Sequence, residues 1–372
     1  LLLKLLCLAG KMASLGKLWN TTSAQGILSH AWIPLVAPSQ PTPFSEQGKI
    51  LEKMGLCTEI TFTRYMRSGK KRGPEPWLCL QDKHFGGVPV RIYLPRVPSA
   101  ALRPATIFFH GGENCYSSYV SISPCFFLCV RYRLAPEHKY PAAYEDCLNA
   151  TVQFMRNAEL YGVDPARIST LAGRTDLPRL RAQILIYPGL QAVDLDLPSY
   201  QQNRGVPLLL RERAAFFALL YLRGDAQYKQ DVLKGSHVPP EMREKYKKWV
   251  SPDNIPERFK ARGYNPPKTH DIKAEVFKNF ERTDEPSLCP LLAEDAVIQQ
   301  LPETFILTCE YDVLRDDGLL YKKRLEDNGV PVTWCHLEDG FHAIISLHDY
   351  CGLRFPSGKR GLDRIVQFIK GL

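Results

Sequence analysis

The chain has 372 residues, of which 45% are hydrophobic and 23% charged, and its formal net charge is +9 at pH 7. These values are ordinary for a globular protein, and the length favours one large α/β domain with a cap over two independent domains. Nucleic acid is not a predicted partner, because the sequence has no finger spacing, aromatic RNA-binding signature or long basic tail. The 11 cysteines form no C-x-x-C pair, so no metal site and no cofactor are predicted.

Residues 1–84 are predicted to form an N-terminal segment that includes part of a cap. Its first ten residues are apolar but are interrupted by Lys4, and they are fewer than the about 20 that cross a bilayer. They are either the remnant of a signal or anchor, or a chance apolar run. Sequons at Asn20 and Asn149 are either glycosylation sites or chance matches.

From Val88 onward, strand patterns alternate with helical ones. Residues 88–93 alternate like a half-buried strand, and residues 105–109 form the apolar run of a central parallel strand. Further strands are predicted at 128–132, 168–171, 182–187, 304–309 and 332–337, and helices at 144–160 and 319–328. This alternation predicts an α/β fold with a mainly parallel sheet, whose core comprises residues 85–196 and 291–372.

Residues 197–290 interrupt the alternation with charged helical patterns and proline-rich loops. An insertion between two sheet strands is predicted to form a cap over the carboxyl ends of the strands, where open α/β sheets bind ligands. A basic run at Lys245, Lys247 and Lys248 is either a solvated face or a surface for anionic lipid headgroups.

A glycine pair follows the predicted strand that ends at Phe109. His110-Gly111-Gly112 places two residues without side chains there, so backbone N–H groups can approach a substrate oxygen closely. The tripeptide alone is weak evidence, since glycines after a strand usually only turn the chain. Its position after an apolar strand makes Gly111 and Gly112 the candidate oxyanion hole.

Several further motifs accompany this glycine pair, in a fixed order along the chain. They are residues 132–138 (YRLAPEH), 144–146 (YED), 161–168 (YGVDPARI), 184–191 (ILIYPGLQ), 196–201 (DLPSYQ), 312–318 (DVLRDDG) and 339–342 (DGFH). With them, the chain from about residue 85 onward resembles the hormone-sensitive-lipase group of α/β hydrolases, and within it the arylacetamide deacetylase-like proteins. The resemblance implies an α/β-hydrolase fold with a helical cap and Ser-His-Asp acyl-transfer chemistry without a cofactor.

The resemblance assigns roles to Asp312 and His342. Asp312 would orient the imidazole of His342, which would act as general base and then as general acid. Taken alone, the aspartate is better explained as a helix-capping carboxylate and the histidine as a core residue. Asp316 and Asp317 are interpreted as carboxylates of a helix N-terminus.

Related deacetylases pair cysteines at the positions that match Cys115 and Cys309. The resemblance therefore implies a disulfide between them, which would join the oxyanion loop to the strand before Asp312. Two free thiols are the alternative.

The nucleophile of the family is expected just after residues 164–168, in a Gly-Asp-Ser-x-Gly-Gly turn. Residues 169–178 read STLAGRTDLP instead, and no Gly-x-Ser-x-Gly occurs in the chain. The nucleophile elbow and its helix are thus predicted to be missing, which would expose part of the sheet. A second loss is predicted between His110 and Tyr132, where little room remains for the family's helix and strand, and Glu113 replaces a third glycine.

By resemblance, the function is hydrolysis of a small hydrophobic ester or arylamide. Because the serine is absent, the activity of this chain is expected to fall by orders of magnitude, to what the oxyanion donors and binding alone supply. The alternatives are a non-catalytic pseudohydrolase that binds lipid or a partner, and a truncated splice or gene-model product. The family also implies the luminal side of the endoplasmic reticulum membrane, and a membrane surface as a partner.

Overall fold

The computed structural model describes residues 51–56, 58, 60–61, 76–111, 125–169, 180–206, 208–222, 225–266, 271–347, 349–350 and 353–372. The chain divides into two compact units, Leu1–Met66 and Arg67–Leu372. In the first unit, the hydroxyl groups of Thr58 and Thr61 hydrogen-bond at 2.8 Å. The apolar segment at residues 1–10 and the sequon at Asn20 lie outside the described residues. The strands and helices named below belong to the second unit.

In the described part of the chain, eight strands form one sheet, in the order β1-β2-β4-β3-β5-β6-β7-β8. They are β1 (Leu78–Phe85), β2 (Val88–Pro95), β3 (Arg103–Phe109), β4 (Phe126–Val130), β5 (Val163–Ser169), β6 (Ala182–Ile186), β7 (Glu303–Tyr311) and β8 (Val332–Phe341). Only the pairs β1–β2 and β2–β4 are antiparallel. A separate hairpin joins β9 (Asp349–Tyr350) and β10 (Leu353–Arg354). The predicted α/β class with a mainly parallel sheet is confirmed.

Helix α1 (Ala142–Arg156) covers the sheet on the side of the first strands. Its apolar side chains recur at helical spacing, and Ala150, Phe154 and Met155 are buried against β2, β3 and β4. The ring of Phe154 stacks on Phe126 of β4 with centroids 5.2 Å apart. The helix that the sequence predicts at residues 144–160 is therefore present, and it ends at Arg156 because a 3-10 turn follows (Ala158–Tyr161).

Between β6 and β7 lies a long insertion, residues 187–302. Its helices are α2 (Pro198–Gln202), α3 (Arg211–Leu222), α4 (Lys229–Leu233), α5 (Pro240–Tyr246), α6 (Ala274–Phe277) and α7 (Asp295–Ile298). Leu219 of α3, Val232 of α4 and Tyr246 of α5 share one apolar core with Ile306 of β7. The insertion thus packs on the sheet, as expected of a cap. The boundaries predicted for the cap, residues 197 and 290, stay a prediction.

Two helices follow in the last part of the chain, α8 (Arg315–Asp327) and α9 (Pro356–Gly371). Leu319, Leu320 and Leu325 of α8 join the core of the insertion, whereas Leu362 and Ile365 of α9 pack on the opposite side of β7 and β8. The sheet is therefore covered on both faces, as a parallel sheet requires. No helix in the described part of the chain combines the length and the apolar character needed to cross a membrane.

The expected loss of a strand between His110 and Tyr132 is wrong for the described residues, whereas the expected loss of a helix there falls in residues 112–124, outside the described residues. Strand β4 lies between His110 and Tyr132 and pairs with both β3 and β2, so the sheet lacks no strand there. The missing nucleophile elbow and its helix stay a prediction, because residues 170–179 lie outside the described residues. Residues 170–181 suffice to connect β5 to β6 in parallel, because such a crossover needs about a dozen residues.

Candidate active site

Four side chains of one site follow directly on strands of the sheet. His110 comes after β3, Tyr187 after β6, Asp312 after β7 and His342 after β8. Because these four strands are parallel, their carboxyl ends lie at one edge of the sheet. The topology therefore gathers, at this edge, residues that are more than 200 positions apart in the chain.

Asp312 and His342 form the centre of this site. The carboxylate of Asp312 is 0% accessible, and its Oδ2 lies 2.9 Å from Nδ1 of His342. Its second oxygen, Oδ1, accepts a hydrogen bond from the backbone N–H of Leu314 at 3.0 Å. A carboxylate can only accept, so Nδ1 of His342 carries the proton and Nε2 keeps a lone pair. This is the tautomer that a general base needs.

The turn before His342 requires a glycine. A Cβ atom at Gly340 would lie 2.7 Å from Cβ of Leu337 and 2.9 Å from Sγ of Cys309. The register of β7 and β8 shifts here, and Tyr311 pairs with Phe341. Because Gly340 packs closely on β7, the chain that follows it lies near β7, and His342 is within hydrogen-bond distance of Asp312.

Tyr187 is a member of the site that the sequence did not single out. Its φ of 40° is unusual for a residue with a side chain, and such backbone strain collects at functional sites. Its ring lies against the imidazole of His342, with centroids 4.9 Å apart. The sequence feature that could have identified Tyr187 is its place in the motif of residues 184–191, directly after an apolar strand and before Pro188.

His110 lies inside the protein at the start of the predicted oxyanion loop. Its ring stacks on Tyr132 at 4.4 Å, and the hydroxyl of Tyr132 donates to its carbonyl oxygen. Burial, with a smaller effect of Arg131, lowers the pKa of His110 to about 4, so the imidazole is neutral at pH 7. Open space lies where a Cβ of Gly111 would be. Gly112 is outside the described residues, and the oxyanion role of both glycines stays a prediction.

Cys309 is a free thiol, which corrects the disulfide that the resemblance implies. Its side chain is 0% accessible and is enclosed between β7, β8 and α9, in the cluster that contains Leu337 and Leu362. Burial also raises its pKa above that of an ordinary thiol, which stabilises the protonated form. Cys115, the expected partner, lies outside the described residues.

Asp316 and Asp317 stand in the first turn of α8 and hold the insertion, as carboxylates of a helix N-terminus do. Asp316 accepts from the backbone N–H of Ser199 at 2.6 Å. Asp317 accepts from the N–H of Leu190 at 2.9 Å and from Nε2 of Gln191 at 3.0 Å. Burial nevertheless raises the pKa of Asp317 to about 7.

The segment in which the family's nucleophile is expected, residues 170–179, lies outside the described residues. The last described residue before it, Ser169, ends β5 and is 4% accessible. Among the described residues, no three His, Cys, Asp or Glu side chains are grouped to hold a metal ion. Asp312 and His342 thus have the contact expected of a triad's acid and base, their catalytic roles stay a prediction, and no serine is assigned to them.

Comparison with known proteins extends over most of the chain. A profile of the alpha/beta hydrolase fold matches residues 105–240 and 251–346. Arylacetamide deacetylase-like 3 of Mus musculus is 42% identical over 352 residues, which cover 87% of this chain and 86% of that protein. Arylacetamide deacetylase-like 4 of Homo sapiens is 41% identical, with the same coverage of 87% and 86%. The solved structure of DphMB1 has a TM-score of 0.60 at 25% identity, covering 91% of this chain and 99% of that one.

Proposed function

Since this chain belongs to the arylacetamide deacetylase-like group of the alpha/beta hydrolase fold family, we propose that it hydrolyses small hydrophobic carboxylic esters and arylamides. The observation that carries the proposal is the hydrogen bond of 2.9 Å between the buried carboxylate of Asp312 and the partly exposed imidazole of His342. It fixes the imidazole in the tautomer with a free lone pair on Nε2, at the edge of the sheet where ligands bind.

His342 activates a water molecule in this proposal, because the sequence has no Gly-x-Ser-x-Gly serine. Nε2 takes a proton while the water oxygen bonds to the carbonyl carbon, and backbone N–H groups near Gly111 stabilise the oxyanion. The bond to the leaving alcohol or amine then breaks, and the imidazolium returns its proton to that group. The products are the carboxylic acid and the alcohol or amine.

The expected turnover is far below that of a complete triad. Binding and oxyanion stabilisation supply about 10³–10⁴-fold over water when a triad member is missing, and general-base catalysis by His342 adds about 10²–10⁴-fold. We therefore expect a slow hydrolysis that saturates with substrate. Esters should react faster than the matching amides, because an alkoxide or phenolate leaves more easily than an amine.

Two measurements on the purified chain test the proposal together. One is hydrolysis of p-nitrophenyl butyrate by the wild type and by His342→Gln, and the other is the intact mass after exposure to a fluorophosphonate. We expect turnover that is lost in the variant, with no added mass. Added mass on a serine would overturn the water mechanism and reveal a serine nucleophile, whereas equal rates in wild type and variant would overturn the hydrolase proposal.

A non-catalytic role in binding hydrophobic ligands is the second candidate, and the missing serine motif favours it. It predicts that a slowly hydrolysed ester raises the melting temperature of the chain while no product forms. His342→Gln would then leave ligand binding unchanged.

We also propose that the chain resides on the luminal side of the endoplasmic reticulum, with Asn149 as a glycan acceptor. Asn149 lies on the exposed side of α1. Its exposed amide could be modified by an oligosaccharyltransferase only in that compartment. A glycosidase should increase the gel mobility of the chain expressed in animal cells, and should leave Asn149→Gln unchanged if this is the modified site. Equal mobility of the wild type before and after treatment would contradict the glycan.

The basic run on the insertion is proposed to contact anionic membrane surfaces. Lys245, Lys247 and Lys248 are exposed, and each such charge contributes about 1 kcal/mol near an anionic surface. Co-sedimentation with phosphatidylserine vesicles, compared with phosphatidylcholine vesicles, tests this. Equal sedimentation with both would contradict it.

A further inference from the structure

The segment that carries the acid, residues 310–316, is held by hydrogen bonds from α2 of the insertion. Asn203 directly follows α2 and is 0% accessible. Its Nδ2 donates to the carbonyl oxygen of Glu310 at 3.1 Å and to that of Asp312 at 2.9 Å. Ser199 of α2 donates from Oγ to the carbonyl oxygen of Val313 at 2.6 Å. Two side chains of the insertion thus hold three carbonyl groups around the acid.

The orientation of the Asn203 amide is itself determined by a neighbour. Its Oδ1 accepts a hydrogen bond from Arg262 at 3.1 Å. The same guanidinium donates to the carbonyl oxygen of Glu310 at 3.0 Å and to its Oε1 at 2.9 Å. An arginine can only donate, so the oxygen of the amide faces Arg262 and the nitrogen faces the two carbonyls.

We propose that Asn203 is a positioning residue for Asp312, an inference that rests on the proposed acid–base function of Asp312 and His342. The carbonyl of Asp312 is fixed by Asn203, and its Oδ1 is fixed by the N–H of Leu314. These two contacts leave Oδ2 aimed at Nδ1 of His342. A displacement of about 1 Å in such an arrangement can lower a rate about 100-fold.

A purely structural role for Asn203 makes a different prediction. A buried amide with all its hydrogen bonds formed stabilises the fold wherever it lies. Gln201, in the same helix, provides the comparison. Its Nε2 donates to the carbonyls of Asp196 and Asn265 at 3.0 and 2.8 Å, and its Oε1 accepts from the N–H of Asn265. All of these contacts stay within the insertion.

The experiment compares Asn203→Leu with Gln201→Met, since each replaces an amide by an apolar group of similar size. One readout is the proton NMR signal of the Nδ1–H of His342, assigned by its disappearance in His342→Gln. The other is kcat and KM for p-nitrophenyl butyrate. We expect Asn203→Leu to shift or broaden the signal and to lower kcat about 100-fold at unchanged KM. Gln201→Met should retain both wild-type values.

The proposal is overturned if Asn203→Leu is folded and keeps the wild-type signal. If that variant does not fold, Asn203→Asp takes its place, since it keeps an oxygen for Arg262 but removes the donors to the two carbonyls. The NMR readout also separates the two proposals. A wild type without turnover whose Nδ1–H signal depends on Asn203 would overturn the hydrolase function and retain the positioning role.

Discussion

Replacement of Asp312 by asparagine should disable His342 without unfolding the protein. Oδ1 of Asp312 accepts from the N–H of Leu314 at 3.0 Å, so an oxygen must remain at this position. The amide nitrogen of Asp312→Asn is then forced to replace Oδ2, which lies 2.9 Å from Nδ1 of His342. Two donors cannot face each other, so Nδ1 must become the acceptor and the proton must move to Nε2.

The size of the effect follows from this change of tautomer. A proton on Nε2 removes the general base, whose contribution is about 10²–10⁴-fold, so we expect kcat to fall by that factor. The side chain keeps its shape and both hydrogen bonds, and the free energy of unfolding should therefore change by less than about 1.5 kcal/mol. Hydrolysis of p-nitrophenyl butyrate measures the first quantity, and urea unfolding measures the second.

Asp339→Asn is the matched control. Asp339 stands three residues before His342, but its side chain is exposed and pairs with Arg360 on the surface. We expect wild-type turnover from this variant. The reasoning is refuted if Asp312→Asn hydrolyses the ester as fast as Asp339→Asn, or if ¹⁵N spectra show that the proton of His342 remains on Nδ1.

Three further substitutions test the packing around the site. Gly340→Ala inserts a Cβ at 2.7–2.9 Å from its neighbours and should destabilise the fold by about 1–3 kcal/mol. Gly371→Ala inserts a Cβ into open space and should not destabilise the fold. Equal urea midpoints for the two variants would contradict this prediction. Burial raises the pKa of Asp317 from 3.8 to about 7, so the folded state binds its proton more tightly than the unfolded chain. The stability due to this proton is present below about pH 4 and is lost as the pH rises to about 7, by up to about 4 kcal/mol. Asp317→Asn should lack this loss. Parallel pH profiles of the unfolding free energy for wild type and variant would refute this prediction. Arg315→Met breaks the ion pair with Asp316, in which both side chains are 0% accessible, and should lower the free energy of unfolding by about 3–5 kcal/mol. Arg360→Met breaks the exposed pair with Asp339 and should lower it by less than about 1 kcal/mol. Similar losses in the two variants would contradict this prediction.

The alternation of apolar and polar residues was sufficient to predict most of the sheet. Residues 105–109 and 304–309 are short, largely apolar segments of the kind typical of buried parallel strands, and they form most of β3 and β7. The strand predicted at 128–132 is present as β4 (Phe126–Val130), although comparison with the family's layout indicated too little room for a strand there. Five residues suffice, because β4 pairs with both of its neighbours over this short length.

The sequence by itself determined the fold class and the order of the motifs, since residue types and their spacing along strands are local properties. The candidate acid and base came from the resemblance of those motifs to a known family. The tertiary structure decided which atoms meet. It placed Tyr187 against His342 and Asn203 against the carbonyl of Asp312, contacts between residues more than 100 positions apart. It also left Cys309 a free thiol within the core. Such contacts depend on how strands and helices pack, and no local pattern in the sequence encodes them.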